Sequence, residues 1–204
     1  MSIDLFDAMR REEEKRNLVR SYRILQLERN PVVPCKGIVA RFDARISDVI
    51  PIIFLRHLGT SSYIRRENIL TVKLQGRLIT LYPDGTVSIN AVWNERAAKK
   101  ILNEVKQMIN DAYKELLREG PPSEEEVLRA SRLGWMDVYD VLPKTNCGEC
   151  GYETCSAFAT DVLRGNAKLS WCTKITKEGS ERLRRKFTPR ILKALGWKAK
   201  NRQF

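Results

Sequence analysis

Four of the chain's five cysteines lie in one stretch: Cys147, Cys150, Cys155 and Cys172, with the spacing C-x2-C-x4-C-x16-C. Three of them fall within nine residues, too tight for three independent disulfides. A short loop carrying three thiolates, with a fourth returning after a helix, suits a soft-metal centre. An iron–sulfur cluster asks for four thiolates converging on one cube, and glycines let the loop backbone approach the inorganic sulfides. Gly148 and Gly151 follow the first two cysteines directly. Structural zinc more usually takes two C-x2-C knuckles or cysteine with histidine. Here the second half is no knuckle, and the only histidine, His57, lies about ninety residues upstream. Zinc and disulfides are the lesser alternatives. The spacing therefore reads as a [4Fe–4S] centre with Cys147, Cys150, Cys155 and Cys172 as its ligands.

Other chemistry is sparse. One histidine supports no serine–histidine–acid set. There is no phosphate-binding glycine loop, no dinucleotide fingerprint and no evident small-molecule substrate pocket. The reading is of an electron-transfer or accessory protein rather than an enzyme. Four cysteines at four positions leave no iron open to substrate, which favours one-electron transfer. Lys144, Lys168 and Lys174 lie near the motif in sequence and would raise the potential that four thiolates lower. Trp171 is expected to shield the cluster. The fifth cysteine, Cys35, stands apart and reads as a small buried hydrophobe. His57, near a helix C-terminus, needs no metal to explain it.

The stretch from Leu142 through Asn146, Cys147, Gly148, Glu149, Cys150 and Gly151 to Cys155 and Ala159 resembles the [4Fe–4S] domain of the corrinoid iron–sulfur protein large subunit. It is also similar to a domain of the ferredoxin-like B subunit of the Rnf electron-transport complex. The resemblance continues through Gly165, Leu169 and Cys172 and covers about residues 135–175. In that family proline usually follows the fourth cysteine; here it is Thr173, which leaves the ligand set intact and bears on the turn after Cys172. The resemblance implies an electron supplied to restore reduced cobalt. The barrel and corrinoid domain of that family are absent from this chain, so the acceptor would be another protein, a corrinoid protein or methyltransferase among the candidates.

The elements around the motif divide the chain. Residues 1–30 read as a charged N-terminal helix, its pattern running from about residue 3 to 29 and stopped by Asn30-Pro31. Residues 31–120 read as an α+β domain. Val32 to Phe42 forms a strand, with Gly37 at a bulge. Ser47-Asp48 caps a helix that ends at Gly59. Three strands follow, at residues 70–74, 78–82 and 87–91. They turn at Gln75-Gly76 and at Pro83-Asp84-Gly85, with an apolar face and a polar one bearing Thr71, Lys73, Ser88 and Asn90. A long helix from Asn94-Glu95 to Gly120-Pro121-Pro122 closes the domain. Residues 121–136 read as a linker helix opened by a capping box, Ser123 with Glu126, and ended by Gly134-Trp135. Residues 137–204 read as the cluster domain, with two basic helices opened by Thr176 and by Thr188-Pro189. The expected fold is thus α+β: an antiparallel sheet with helices on one face, then a small, mainly helical cluster domain. The order of the first part is similar to one half of the TATA-binding-protein fold. DNA binding is not implied, because the polar face lacks a phenylalanine pair to wedge between bases.

Net charge is +12 with a pI of about 9.7, and residues 173–204 carry eleven lysines and arginines against two acids. Such a tail attracts an acidic protein, nucleic acid or an anionic surface. No apolar run reaches the roughly eighteen residues of a membrane span. The N-terminus lacks a secretory pattern, so clustered thiols point to a reducing, cytoplasmic location. Three functions stay open: a one-electron carrier or reductive-activation partner for a corrinoid or other redox enzyme, an accessory or assembly protein of a metalloenzyme complex, and a nucleic-acid binder with a structural cluster.

Overall fold

A computed structural model describes residues 19–29, 36–92 and 94–197. The chain divides into two units. The first is Met1–Phe54 with Ser61–Pro122; the second is Leu55–Thr60 with Ser123–Phe204.

The first unit is a six-stranded antiparallel sheet in the order β1-β2-β6-β5-β4-β3. Its strands are β1 (Tyr22–Arg29), β2 (Lys36–Phe42), β3 (Ser61–Ile64), β4 (Ile69–Leu74), β5 (Arg77–Leu81) and β6 (Thr86–Val92). Between β2 and β3 lies α1 (Ile50–Arg56), and α2 (Glu95–Glu119) follows β6. Side chains alternate across a strand, and one face here carries a buried apolar set. Ile38, Val72, Ile79 and Ile89 are at most 1% exposed. The register places Ile79 and Ile38 on either side of Ile89. Burying one such side chain is worth about 1.5–3 kcal/mol. On the opposite face Thr71 and Thr80 share a hydroxyl hydrogen bond of 3.0 Å, while Lys73 and Asn90 are exposed.

Turn chemistry sets the register. Gln75 and Gly76 both have positive φ, 50° and 77°, as a two-residue hairpin of the type favoured by strand twist requires. At the next hairpin Gly85 has φ 91°, and a Cβ there would sit 2.3 Å from the Ala44 carbonyl oxygen. Only glycine fits. A register shift does fall at Gly37, but the extra residue is on β6, where Ala91 has φ 55°.

The helix α2 is 25 residues long, capped by Asn94, whose side chain accepts from the Ala97 N–H at 2.8 Å, and ended by Gly120 at φ 73°. Its stripe of Ala98, Ile101, Leu102, Val105 and Ile109 is buried, and the helix packs on β6. The Asn110 side chain accepts from the Val19 N–H (2.9 Å) and donates to the Val19 carbonyl (3.1 Å). The Tyr113 hydroxyl donates to the Arg45 carbonyl.

Two strands were not anticipated. The charged helix expected to reach residue 29 gives way at Tyr22 to β1, while residues 1–18 and 30–35, Cys35 included, lie outside the described residues. The segment is rich in helix formers, but pairing with β2 and the edge-on contact of Tyr22 with Phe42 (5.8 Å) override local propensity. The four-residue β3 was missed because Ser61 and Ser62 give it no apolar alternation. Tyr63 stacks on Phe54 at 5.0 Å.

The second unit is built of short helices: α3 (Glu124–Ser131), α4 (Trp135–Tyr139), α5 (Cys155–Leu163), α6 (Lys177–Lys186) and α7 (Pro189–Ala194), with a 3-10 turn at Leu169–Trp171. Ser123, Thr154, Thr176 and Thr188 cap four of them, each accepting a backbone N–H of the first turn. The capping box expected at Ser123 is not closed by Glu126. That carboxylate instead accepts from the Thr188 hydroxyl and lies 3.8 Å from the Arg190 guanidinium, fastening α3 to α7. Gly134 does not end α3, which stops at Ser131 with Arg132 as its cap. The Gly134 N–H donates to Asp137 at 2.9 Å and opens α4. Among the described residues no helix is long and apolar enough to cross a membrane.

Candidate metal centre

The cysteine loop begins after Leu142 and leads into α5. It changes direction through left-handed backbone at Lys144 (φ 59°), Asn146 (φ 48°), Gly148 (φ 74°) and Gly151 (φ 86°). Asparagine tolerates this region better than most residues. The Gly151 N–H donates to the Gly148 carbonyl at 2.9 Å, which curls Cys147 and Cys150 around one tight turn. No protein atom lies near an added Cβ at either glycine, so within the chain the demand on them is dihedral rather than steric.

Cys155 is the first residue of α5, where backbone N–H groups lack helical partners. Its own N–H donates to Asn146 Oδ1 at 2.8 Å. A second tie runs from the Tyr152 hydroxyl to Asp161 at 3.1 Å. The Tyr152 ring also meets Phe158 edge-on at 5.4 Å. The loop is thus pinned to the first two turns of the helix that begins with its third cysteine.

The chain returns through Gly165 (φ 80°) and the 3-10 turn. The Leu169 N–H bonds to the Leu195 carbonyl at 2.9 Å, anchoring the return to the end of α7. Cys172 follows at once. Burial pushes its thiol pKa up. The Lys174 backbone N–H to its sulfur acts the other way, and Cys150, Cys155 and Cys147 push it up further.

The four sequence-predicted positions therefore come together. Cys147, Cys150, Cys155 and Cys172 line one hollow with Pro143, Asn146 and Phe158, and all four are free thiols. Cys155 is 7% exposed and Cys147 is open to solvent. Among the described residues no three His, Cys, Asp or Glu side chains close on a point as a single ion requires. Four cysteine sulfurs lining one hollow are the donor set that an iron–sulfur group takes. His57 is not among the lining residues, and its pKa is lowered by burial and then by Arg56.

Two expectations need correction. Trp171 does not shield the hollow: it is 45% exposed and absent from the lining, whose apolar wall comes from Pro143, Tyr152 and Phe158. Of the three nearby lysines, Lys174 places its Nζ 2.8 Å from Glu149, the residue between Cys147 and Cys150. Lys144 lies over the Tyr139 ring at 4.8 Å, and the Lys168 side chain abuts Gly196.

Two residues with contacts at the site, Asn146 and Glu149, carry no role in the sequence reading. Glu149 accepts from the Thr173 hydroxyl at 2.6 Å, with Lys174 Nζ 2.8 Å from its other oxygen, so Thr173, read only for the turn after Cys172, also bonds to the cysteine loop. A carboxylate set between two cysteines was the available signal.

Residues 142–173 match a family described as "Putative Fe-S cluster". The chain shares this domain with acetyl-CoA decarbonylase/synthase gamma subunits and the corrinoid/iron-sulfur protein large subunit. It is 43% identical over 61 residues to the gamma subunit of Methanopyrus kandleri, covering 30% of this chain and 13% of that protein. Over 55 residues it is 40% identical to the gamma subunit of Methanocaldococcus jannaschii (27% and 11%). Over 63 residues it is 40% identical to the Corrinoid/iron-sulfur protein large subunit of Moorella thermoacetica (31% and 14%). The matched region thus spans only about an eighth of each relative's length. No solved structure matches the chain, and β1 and β3 depart from the strand–helix–three-strand order on which the resemblance to half of the TATA-binding-protein fold was read.

Proposed function

We propose that this chain binds one [4Fe–4S] cluster through Cys147, Cys150, Cys155 and Cys172 and serves as a one-electron carrier or reductive-activation partner for another protein. The observation that carries this reading is the meeting of four free thiols, three from a glycine-turned loop and one from a segment returning after α5, around a single hollow. A bound cluster would supply one reversible one-electron step between its 2+ and 1+ states. The chain's residues hold and insulate that site. Asn146 fixes the loop to the N-terminus of α5, Phe158 and Pro143 exclude water from one side, and the exposed Cys147 side leaves a short path to a partner.

The partner we propose is a corrinoid-bearing protein, since the matched relatives carry that word or a decarbonylase/synthase complex in their names. The acceptor we propose is a separate protein, with the cluster's exposed Cys147 side as the approach to it. A reducing, cytoplasmic setting suits the free thiols.

Anaerobic purification with iron and sulfide analysis, then EPR after dithionite, tests the reading. About four irons and four sulfides per chain and a signal from the reduced cluster are expected. Stoichiometric zinc without iron overturns the cluster. A cluster that cannot be reduced overturns electron carriage and leaves an accessory or assembly role. Binding to nucleic acid that falls steeply with salt would favour the third function.

A further inference from the structure

Cys147, Cys150 and Cys155 belong to one loop and helix, but Cys172 arrives from a separate segment, and something must hold that segment to the loop. The contacts that do so converge on Glu149. Its Oε2 accepts from the Thr173 hydroxyl at 2.6 Å, and its Oε1 lies 2.8 Å from Lys174 Nζ. Glu149 sits between Cys147 and Cys150, while Thr173 and Lys174 directly follow Cys172. The Lys174 backbone N–H also points at the Cys172 sulfur. One carboxylate on the first cysteine turn thus grips both residues after the fourth cysteine. The three groups are exposed, so the pair alone is a weak stabiliser of the fold. Its position gives it a different use.

We infer that Glu149, Thr173 and Lys174 form a clip that seats the fourth ligand and balances charge beside the cluster; the inference rests on the function proposed above. Its positional part acts through distance: with the clip closed, Cys172 stays at the hollow whenever the loop does. Its electrostatic part follows from placement. An unpaired carboxylate between Cys147 and Cys150 would add negative charge where thiolates already crowd, and the Lys174 ammonium 2.8 Å from that carboxylate offsets it.

The two parts are separable in the intact chain. Glu149→Ala should speed iron loss to a chelator by a factor of about five under anaerobic conditions, the scale of an exposed charged contact. Cys172 is extended (φ −75°, ψ 108°), close to what a residue before proline adopts. Thr173→Pro placed on Glu149→Ala should therefore return the rate toward wild type by stiffening the same turn. The midpoint potential reads the charge. Lys174→Met, which leaves the carboxylate unbalanced, should lower it, and Glu149→Gln, which leaves the ammonium unbalanced, should raise it. A purely structural contact would not shift the two in opposite directions.

Wild-type iron retention in Glu149→Ala, or potentials that move together, overturns the clip. Failure of the wild type to take up iron and sulfide would instead overturn the proposed function. The clip is then still read by amide exchange at residues 172–174 in the metal-free chain. Faster exchange in Glu149→Ala supports it, and unchanged exchange refutes it.

Discussion

In the sheet unit, apolar residues such as Ile38, Val72, Ile79 and Ile89 are almost fully buried, and α2 lays a 25-residue stripe beside them. In the cysteine unit the helices run five to ten residues, and four thiols face a hollow rather than one another's apolar neighbours. Helices this short are marginal on their own. What holds them are caps, the Glu126 link between α3 and α7, and the Leu169–Leu195 bond. The first unit is organised by burial of its own side chains. The second is organised by caps and by links between short helices around the cysteine loop. The difference teaches that the two should respond to different insults.

Removing the proposed cluster should have the largest effect and the most lopsided one. Amide exchange across residues 142–173 should accelerate on the order of a hundredfold, because binding energy at such a site is also folding energy. Strands β4 to β6 should exchange as before. Equal acceleration in both units would break the comparison. Next in size is Ile89→Ala. Ile89 is fully buried between Ile38 and Ile79. The loss should be about 2–4 kcal/mol of stability by chemical denaturation, with iron content unchanged.

Asn146→Ala should cost about 1 kcal/mol, the worth of a helix-start acceptor, and should weaken iron retention by leaving the Cys155 N–H without its partner. Asn146→Gly keeps the φ of 48° accessible yet still lacks the acceptor, so retention should not recover. Recovery in the glycine variant would assign Asn146 a dihedral role only. The smallest effect belongs to Asp137. Burial alone would raise its pKa, but the Gly134 N–H and the Lys186 ammonium outweigh that and hold the carboxyl below its ordinary range. A depressed folded-state pKa gives stability that is present above the ordinary carboxylate value and is lost as pH falls through the folded one. Asp137→Asn should therefore cost less than about 1 kcal/mol at neutral pH and nothing in strong acid, read as a denaturation midpoint against pH.

The same contrast explains what could be read from the sequence. The four cysteines, the hairpins at Gln75-Gly76 and Pro83-Asp84-Gly85, the long helix and the caps at Ser123, Thr176 and Thr188 are local signals, and local chemistry decides them. β1 and β3 are defined by a neighbouring strand, which no local window contains. Glu126 looked like half of a capping box because spacing cannot show that Thr188 lies within reach. Trp171 looked like a shield because adjacency to Cys172 says nothing of where a ring points. Asn146 and Glu149 carried the least warning. Their work is done on residues 9 and 24 positions away.

Gly59 closes the matter of how the second unit comes into being. Its N–H bonds to the Leu163 carbonyl at 3.0 Å, and a Cβ on it would sit 2.5 Å from that oxygen, so Leu55–Thr60 belongs to a unit whose remainder starts at Ser123. On the ribosome, Gly59 emerges about a hundred residues before Leu163. At about 5–20 residues per second that is a wait on the order of ten seconds. The cysteine unit is therefore a late assembly, completed only after the whole sheet has been synthesised, and a gene cut at Ser123 would not release it whole.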